Sequence, residues 1–148
     1  MRILVIDGPN MNLIGTRQTE IYGRVSLVDI EKQMRERAAS LEVGIEFTQS
    51  NCEGELIDRL HAAREHVDGL IINPAGLSHT SVALLDAMLA MDCPVIEVHL
   101  TNLARREDFR KVSLTAEGAE ARIEGFGADG YLLALDGLVR IIGSNNGS

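Results

Sequence analysis

Short, continuous apolar runs alternate along this chain with segments in which apolar residues recur at helical spacing. Continuous apolar runs are typical of strands that are buried on both faces of a parallel sheet. Such runs predict buried strands over residues 3–6 and 68–73, and three further strands are expected over residues 43–47, 94–99 and 121–125. Helical spacing between the runs predicts helices over residues 27–41, 53–66, 80–91 and 130–142, the first of them capped by Ser26.

Strands that alternate with helices imply a parallel sheet with helices on both faces. We therefore expect an α/β protein, a flavodoxin-like doubly wound three-layer sandwich with a five-stranded parallel sheet. A single catalytic domain is expected over residues 1–142, because a chain of 148 residues is short for two domains. Residues 143–148 consist of glycine, serine and asparagine, and we expect them to form a flexible tail.

One connection is much longer than the others. Residues 8–23 join the first strand to the first helix over 16 positions, whereas connections in such folds usually have roughly 2–6 residues and longer ones are usually functional. The segment contains Asn10, Asn12, Arg17 and Tyr22. We therefore interpret it as an active-site lid.

Composition narrows the function classes. The formal net charge of −8 makes a nucleic-acid partner improbable, because phosphate binding needs a basic surface. No apolar run is long enough to span a bilayer, and Cys52 and Cys93 do not form a CxxC pair. A cytoplasmic protein without disulfides is the simplest expectation. A metal site is not expected, since His61 and His66 are poorly spaced for a shared ion and the chain has no HExxH motif.

Polar residues gather where the predicted strands end. In open parallel sheets, ligands bind beyond the carboxyl ends of the strands. The first, third and fourth strands supply amides, a histidine, acids and guanidiniums there: Asp7, Asn10, Asn12, Asn73, Ser78, His79, Glu97, His99, Thr101, Asn102, Arg105 and Arg106. Neither GxGxxG nor the P-loop pattern accompanies them. Such a site suits a small, oxygen-rich anion.

Five ordered blocks carry these residues: GPNMNLIGTR with EIYG (8–17, 20–23), QSNCEGELI (49–57), NPAGLSHTS (73–81), EVHLTN with REDFR (97–102, 106–110) and GFGADGY (125–131). In this order the sequence resembles the type II 3-dehydroquinate dehydratases over about residues 2–140. The resemblance implies a flavodoxin-like fold and a dodecamer built of trimers. It also implies reversible anti elimination of water from 3-dehydroquinate, through an enolate, to give 3-dehydroshikimate in the shikimate or quinate pathway, without a cofactor.

The resemblance assigns the base to Tyr22 and the acid to His99. A tyrosine with its ordinary pKa of about 10 needs its anion stabilised to act as a base at neutral pH. Arg17 is the candidate for that stabilisation, and Arg106 could assist it; otherwise Tyr22 would simply anchor the loop. Glu97 lies two residues before His99, on the same side of the strand, where a carboxylate could orient the imidazole ring.

The remaining roles are also carried over from the resemblance. Asn12 would position a water molecule against the enolate oxygen, and Asn10 would hold the loop or help to orient His99, although asparagines in turns often cap backbone groups. Substrate binding would involve Asn73, His79, Leu100, Thr101 and Arg106, the backbone N–H groups of Leu100 and Thr101 contacting the carboxylate. His79 is expected to open a helix, and Asp86 to reach the site of a neighbouring subunit.

Some positions depart from the family pattern. Asp7 stands where asparagine is common, Ala104 where histidine or tyrosine is common, and Arg105 where alanine is common; Thr101 replaces a frequent serine. Two alternatives also stay open at this point. One is a receiver-like or flavin-binding module, for which the chain lacks clustered acids after the first strand and offers only Tyr22 as an aromatic residue in the loop. The other is a catalytically silent scaffold.

Overall fold

The five predicted strands form one parallel sheet. In the computed structural model, which describes residues 1–147, the strands are β1 (Arg2–Asp7), β2 (Gly44–Gln49), β3 (Gly69–Asn73), β4 (Val95–His99) and β5 (Ala121–Glu124). All four pairings are parallel and the strand order is β2-β1-β3-β4-β5. The predicted fold class is confirmed. The chain changes direction across the sheet between β1 and β3, which is where open α/β sheets bind ligands.

Helices cover both faces of the sheet. They are α1 (Thr19–Tyr22), α2 (Leu27–Ser40), α3 (Glu53–Ala63), α4 (Val82–Leu89) and α5 (Asp129–Asn146). The side chains of Ile3 and Val5 pack toward α2 and α5, and those of Leu4 and Ile6 pack toward α3 and α4. Because successive side chains of a strand point to opposite faces, two covered faces require a continuous apolar run, as the sequence has.

Local signals set the helix starts. Ser26 caps α2 as predicted: its hydroxyl accepts the backbone N–H of Asp29 at 3.1 Å, and the Asp29 carboxylate accepts the N–H of Ser26 at 3.1 Å. The α4 helix begins later than predicted, because the Ser81 hydroxyl caps it by accepting the N–H of Leu84 at 2.9 Å. His79 therefore does not open a helix, contrary to expectation; it ends the 3-10 turn Ala75–His79.

The C-terminal end also differs from the prediction. Helix α5 continues to Asn146, so residues 143–146 are helical where a flexible tail was expected. These residues have low helix propensity, but they continue a helix that is already formed. Its apolar face, including Leu135, Leu138 and Ile142, packs in the core and stabilises the extension. No helix within residues 1–147 is both long and apolar enough to cross a membrane.

The long connection after β1 has local structure of its own. It contains the 3-10 turn Met11–Leu13 and the short helix α1, which places Tyr22 at its last position. Asn10 and Gln18 adopt left-handed backbone conformations, with φ of 69° and 41°, just before these two elements. Asparagine tolerates that conformation better than most residues. These turns bend the chain back over the carboxyl ends of the central strands.

Candidate active site

A cleft of about 160 Å³ opens at the carboxyl ends of β1, β3 and β4, at the switch in strand order. The connection after β1 forms one wall and the segment after β4 forms the other. The lining residues are Pro9, Asn10, Met11, Ile14, Arg17, Tyr22, Asn73, Ala75, Gly76, His79, His99, Leu100, Thr101, Leu103, Arg106 and Arg110. Three guanidiniums in one cleft of an acidic protein favour an anionic ligand.

Tyr22 lies between two of these arginines. The guanidinium carbons of Arg17 and Arg106 are 4.9 Å and 5.2 Å from the centre of the Tyr22 ring. Arg106 Nη2 also donates a hydrogen bond of 3.2 Å to the Tyr22 hydroxyl, and its Nη1 donates one of 3.1 Å to the Thr101 hydroxyl. Two cations beside one phenol stabilise negative charge on its oxygen. Both guanidiniums thus lie against the Tyr22 ring, and that of Arg106 contacts its hydroxyl directly.

The imidazole ring of His99 is hydrogen-bonded to a buried carboxylate. Its Nε2 lies 2.8 Å from Oε2 of Glu97, whose side chain is 0% exposed. Because an ionised carboxylate cannot donate, Nε2 carries the proton of this contact, which leaves Nδ1 available to a ligand in the cleft. The predicted pairing of Glu97 with His99 is therefore present in the structure.

Two hydroxyl groups complete the surroundings of Glu97. Ser113 donates to Glu97 Oε2 at 2.7 Å, and Thr115 donates to Glu97 Oε1. Burial by itself would raise the pKa of Glu97. The hydrogen bond and charge of His99, together with the hydrogen bonds of Thr115 and Ser113, outweigh burial and lower the pKa. Glu97 therefore stays ionised and gives the His99 ring a fixed orientation.

Asn73 lines the base of the cleft and belongs to a buried polar chain. Its Nδ2 donates to the Tyr131 hydroxyl at 3.0 Å, and its Oδ1 accepts the backbone N–H of Ala75 at 3.0 Å. The Tyr131 hydroxyl in turn donates to Asp7 Oδ1. Burial raises the pKa of Asp7 to about 7, although the Tyr131 hydrogen bond opposes the rise, and Glu31 adds to it. The unusual acid at position 7 thus lies beneath the cleft.

The two asparagines of the first block are placed differently. Asn10 lines the cleft, and its backbone N–H donates to Asn51 Oδ1 at 2.9 Å. Gln49 Nε2 supports the same amide by donating to Asn51 Oδ1 at 3.2 Å, and it also donates to the carbonyl of Gly8 at 3.3 Å. Asn12 is exposed and does not line the cleft. The structure therefore brings Asn10 to the site but not Asn12.

Five of the six predicted substrate-binding residues line the cleft, and one does not. Asn73, His79, Leu100, Thr101 and Arg106 all line the cleft. His79 Nδ1 donates to the carbonyl of Val112 at 2.7 Å, and its Nε2 lies 3.4 Å from the Ser78 hydroxyl. Asp86 lies outside the cleft, exposed on α4. Ala104 and Arg105, two of the departures from the family pattern, are also exposed and outside it.

Sequence reasoning missed one cation of the site. Arg110 lines the cleft, and its Nε lies 3.1 Å from Glu107 Oε2. Within residues 1–147, no group accepts a well-aligned hydrogen bond from the buried Nε atoms of Arg110 and Arg17. A buried donor without a partner is costly and is often satisfied by a ligand. The signal that could have identified Arg110 from sequence was its position four residues after Arg106, in the REDFR block.

The described part of the chain holds no cluster of three or more His, Cys, Asp or Glu side chains arranged to bind a metal ion. The chemical groups in the cleft include a phenol, two imidazoles, amides and guanidiniums. Such a set can move protons and stabilise an oxyanion.

Comparison with known proteins gives consistent matches over most of the chain. The family described as dehydroquinase class II matches residues 1–139. A 3-dehydroquinate dehydratase of Dinoroseobacter shibae is 51% identical over 93% of this chain and 92% of its own length. Catabolic 3-dehydroquinase 1 of Fusarium vanettenii is 50% identical, with 93% and 96% covered. The crystal structure of a type II dehydroquinase from Butyrivibrio crossotus matches with a TM-score of 0.92 and 38% identity, covering 94% of this chain and 97% of that one.

Proposed function

The chain belongs to the class II dehydroquinase family and removes water from 3-dehydroquinate, and we propose that Tyr22 is the base and His99 the acid of this reaction. The product is 3-dehydroshikimate, which places the enzyme in the shikimate or quinate pathway. Family membership also decides against a receiver-like or flavin-binding module. The observation that supports the proposed roles best is the convergence of Tyr22, His99 and three arginines on one cleft.

In the first step, the Tyr22 phenolate takes a proton from the carbon next to the ketone. The electron pair of the broken C–H bond moves into the carbonyl group, and an enolate forms. The guanidiniums of Arg17 and Arg106 stabilise the phenolate before the transfer. After the transfer the negative charge lies on the enolate oxygen, where Asn12 would hold a stabilising water molecule. That role requires Asn12 to turn toward the substrate from its exposed position.

In the second step, the enolate collapses and expels the hydroxyl group from the neighbouring carbon. His99 gives its proton to the departing oxygen, so that water leaves and a conjugated enone remains. Glu97 orients the ring through Nε2 and stabilises its protonated form, and Asn10 holds the loop beside it. In an anti elimination the proton and the hydroxyl leave from opposite faces of the substrate, so Tyr22 and His99 would act from opposite sides of the bound ring.

Binding of the substrate is assigned to the remaining polar groups of the cleft. The backbone N–H groups of Leu100 and Thr101 contact its carboxylate, and Asn73, His79 and Arg106 contact its ring oxygens. We add Arg110 to this set, because it lines the cleft and its buried Nε, although 3.1 Å from Glu107 Oε2, makes no well-aligned hydrogen bond in the described structure. No metal or cofactor takes part in these steps.

Asp86 is proposed to act in the site of a neighbouring subunit, within a dodecamer built of trimers. Its exposed place on α4, outside its own cleft, is compatible with that role. On the same helix, Val82 and Leu89 are 58% and 60% exposed, so α4 offers apolar surface for a second subunit to cover. We also propose a cytoplasmic location, which the free thiols of Cys52 and Cys93 support.

The proposed roles are tested by following the ultraviolet absorbance of the enone in the presence of a chelator. Turnover that resists the chelator and falls by about a hundredfold or more in Tyr22→Phe would support the base assignment, since general base catalysis contributes about 10²–10⁴-fold. Turnover that survives in the variant would remove Tyr22 from its role. A folded wild-type protein without turnover would favour the catalytically silent scaffold.

A further inference from the structure

A buried chain of hydrogen bonds connects the cleft to a carboxyl group that the mechanism does not use. Asn73 is 3% exposed, Tyr131 is 0% exposed and Asp7 is 1% exposed. Asn73 Nδ2 donates to Tyr131 Oη at 3.0 Å, and Tyr131 Oη donates to Asp7 Oδ1. Asp7 and Asn73 are paired residues at the ends of β1 and β3, and Tyr131 reaches them from α5.

The donors and acceptors in this chain have a fixed direction. Tyr131 has one hydroxyl proton, and because a carboxylate can only accept, that proton goes to Asp7. The lone pairs of Tyr131 are then left to accept the amide N–H of Asn73. Asn73 Oδ1 accepts from Ala75, which fixes the other end of the amide. The second N–H of Asn73 faces Met11 Sδ at 3.6 Å, a weak acceptor that a ligand oxygen can replace.

We propose that Asp7 is a positioning residue of this enzyme: acting through Tyr131, its carboxylate fixes the amide of Asn73 in the orientation that binds substrate, and protonation of Asp7 loosens that amide. The inference rests on the proposed contact between Asn73 and the substrate. A neutral carboxyl group accepts a weaker hydrogen bond than a carboxylate, or donates one itself. If it donates, the Tyr131 proton turns toward Asn73, and the amide can answer only by giving up its bond to Ala75.

The surroundings of Asp7 make protonation accessible near neutral pH. Burial raises the pKa of Asp7 to about 7, the Tyr131 hydrogen bond opposes the rise, and the like charge of Glu31 on α2 adds to it. The paired residues on the adjacent strands, Gln49 on β2 and Asn73 on β3, are uncharged amides. The charged form of Asp7 is thus held by hydrogen bonding to Tyr131, without a cation among these neighbours.

The test compares steady-state KM and kcat between pH 5.5 and pH 9 for the wild type and Asp7→Asn, which keeps the shape but cannot ionise. For the wild type we expect KM to rise about fivefold as the pH falls through about 7, since a typical hydrogen bond contributes about 1 kcal/mol. In Asp7→Asn this rise should be absent, while kcat should follow the wild-type profile. Glu31→Gln, which removes the like charge alone, should shift the rise to lower pH.

Two further variants distinguish a failure of the role proposed for Asp7 from a failure of the contact between Asn73 and substrate. Tyr131→Phe should raise KM at high pH and abolish its pH dependence, with folding checked by circular dichroism. Asn73→Ala tests the underlying contact: an unchanged KM there would show that Asn73 does not bind substrate. If Asn73→Ala raises KM but Asp7→Asn has a KM profile superimposable on that of the wild type, the positioning role of Asp7 is overturned while the role of Asn73 stands.

Discussion

The imidazole Nε2 of His99 lies 2.8 Å from Oε2 of Glu97, and both side chains are almost completely buried. The contact directs the Nε2 edge of the ring toward the protein and leaves Nδ1 for the cleft. It also stabilises the imidazolium form that an acid needs before it gives up its proton. The pKa of Glu97 is lowered, so a fall in pH through the neutral range does not protonate this carboxylate.

Replacement of Glu97 by glutamine should therefore lower kcat by about a hundredfold, because a neutral amide neither stabilises the imidazolium nor fixes its tautomer. Ser113→Ala is the matched control, since it removes one donor to the same oxygen and leaves the charge in place. We expect kcat of this control to fall by about fivefold. Similar kcat losses in the two variants would contradict an electrostatic role for Glu97.

Arg106 connects the two walls of the cleft, with hydrogen bonds to the hydroxyls of Tyr22 and Thr101. Lysine keeps the charge but cannot reproduce the planar fork of donors. We expect Arg106→Lys to lower kcat about tenfold to a hundredfold, which is about 1.4–2.7 kcal/mol of transition-state stabilisation. Stopped-flow or steady-state assays would measure it.

Arg59 supplies a matched control for that substitution. It also bridges two side chains, donating to Thr48 at 3.1 Å and to Glu46 at 2.8 Å, but it does not line the cleft. Arg59→Lys should leave kcat unchanged within a factor of about two, as an exposed ion pair contributes little. A loss in Arg106→Lys no larger than in this control would show that the fork geometry does not matter.

Arg110 is predicted to bind the substrate without taking part in proton transfer. Arg110→Ala should raise KM about tenfold, because a hydrogen bond to a charged group contributes about 1.5–3 kcal/mol, and should change kcat little. Lys111→Ala is the control: Lys111 pairs with Asp108 at 2.9 Å and lies outside the cleft. A fall in kcat with KM unchanged would instead assign Arg110 to the chemical step.

The buried acid beneath the cleft should also affect stability. The pKa of Asp7 is raised from 3.8 to about 7 in the folded protein, so the folded state binds the proton more tightly than the unfolded chain. The wild type should therefore lose stability relative to Asp7→Asn as the pH rises from about 4 to about 7, and the difference should be constant above that range. The total change is on the order of 4 kcal/mol at most.

Urea unfolding of the two proteins at a series of pH values would measure this difference. Other carboxyl groups titrate in both proteins, and their contributions cancel in the comparison. A stability difference that does not vary between pH 4 and pH 8 would mean that Asp7 titrates near its ordinary pKa.

The sequence predicted the central strands β1 and β3 well because both of their faces are covered and they therefore carry unbroken apolar runs. The edge strands β2 and β5 are only partly buried and carry a weaker apolar pattern. The sequence did not predict α1, since four residues in a polar loop show no periodicity. It assigned residues 143–148 to a tail because glycine and asparagine are weak helix formers, whereas packing of the preceding turns extends α5 through residues 143–146. Residue 148 lies outside the described residues.

The candidate site was predictable where its residues end a strand, as His99 and Asn73 do. Its supporting residues were not predictable by spacing, because tertiary contacts create them. Tyr131 reaches Asp7 across 124 positions, and Thr115 reaches Glu97 across 18. Asn12 and Asp86 lie outside the cleft of this chain. The roles proposed for them would require a loop movement and a neighbouring subunit.

The assignment of Tyr22 as the base and His99 as the acid is tested most directly by hydrogen exchange in deuterated water. If Tyr22 removes the proton and His99 protonates the leaving hydroxyl, His99→Gln should still form the enolate. It should then incorporate deuterium next to the ketone of unreacted 3-dehydroquinate while making little product. Tyr22→Phe should show exchange no faster than in the absence of enzyme. Enzyme-dependent exchange that persists in Tyr22→Phe, or that is absent in a folded His99→Gln protein, would contradict this assignment.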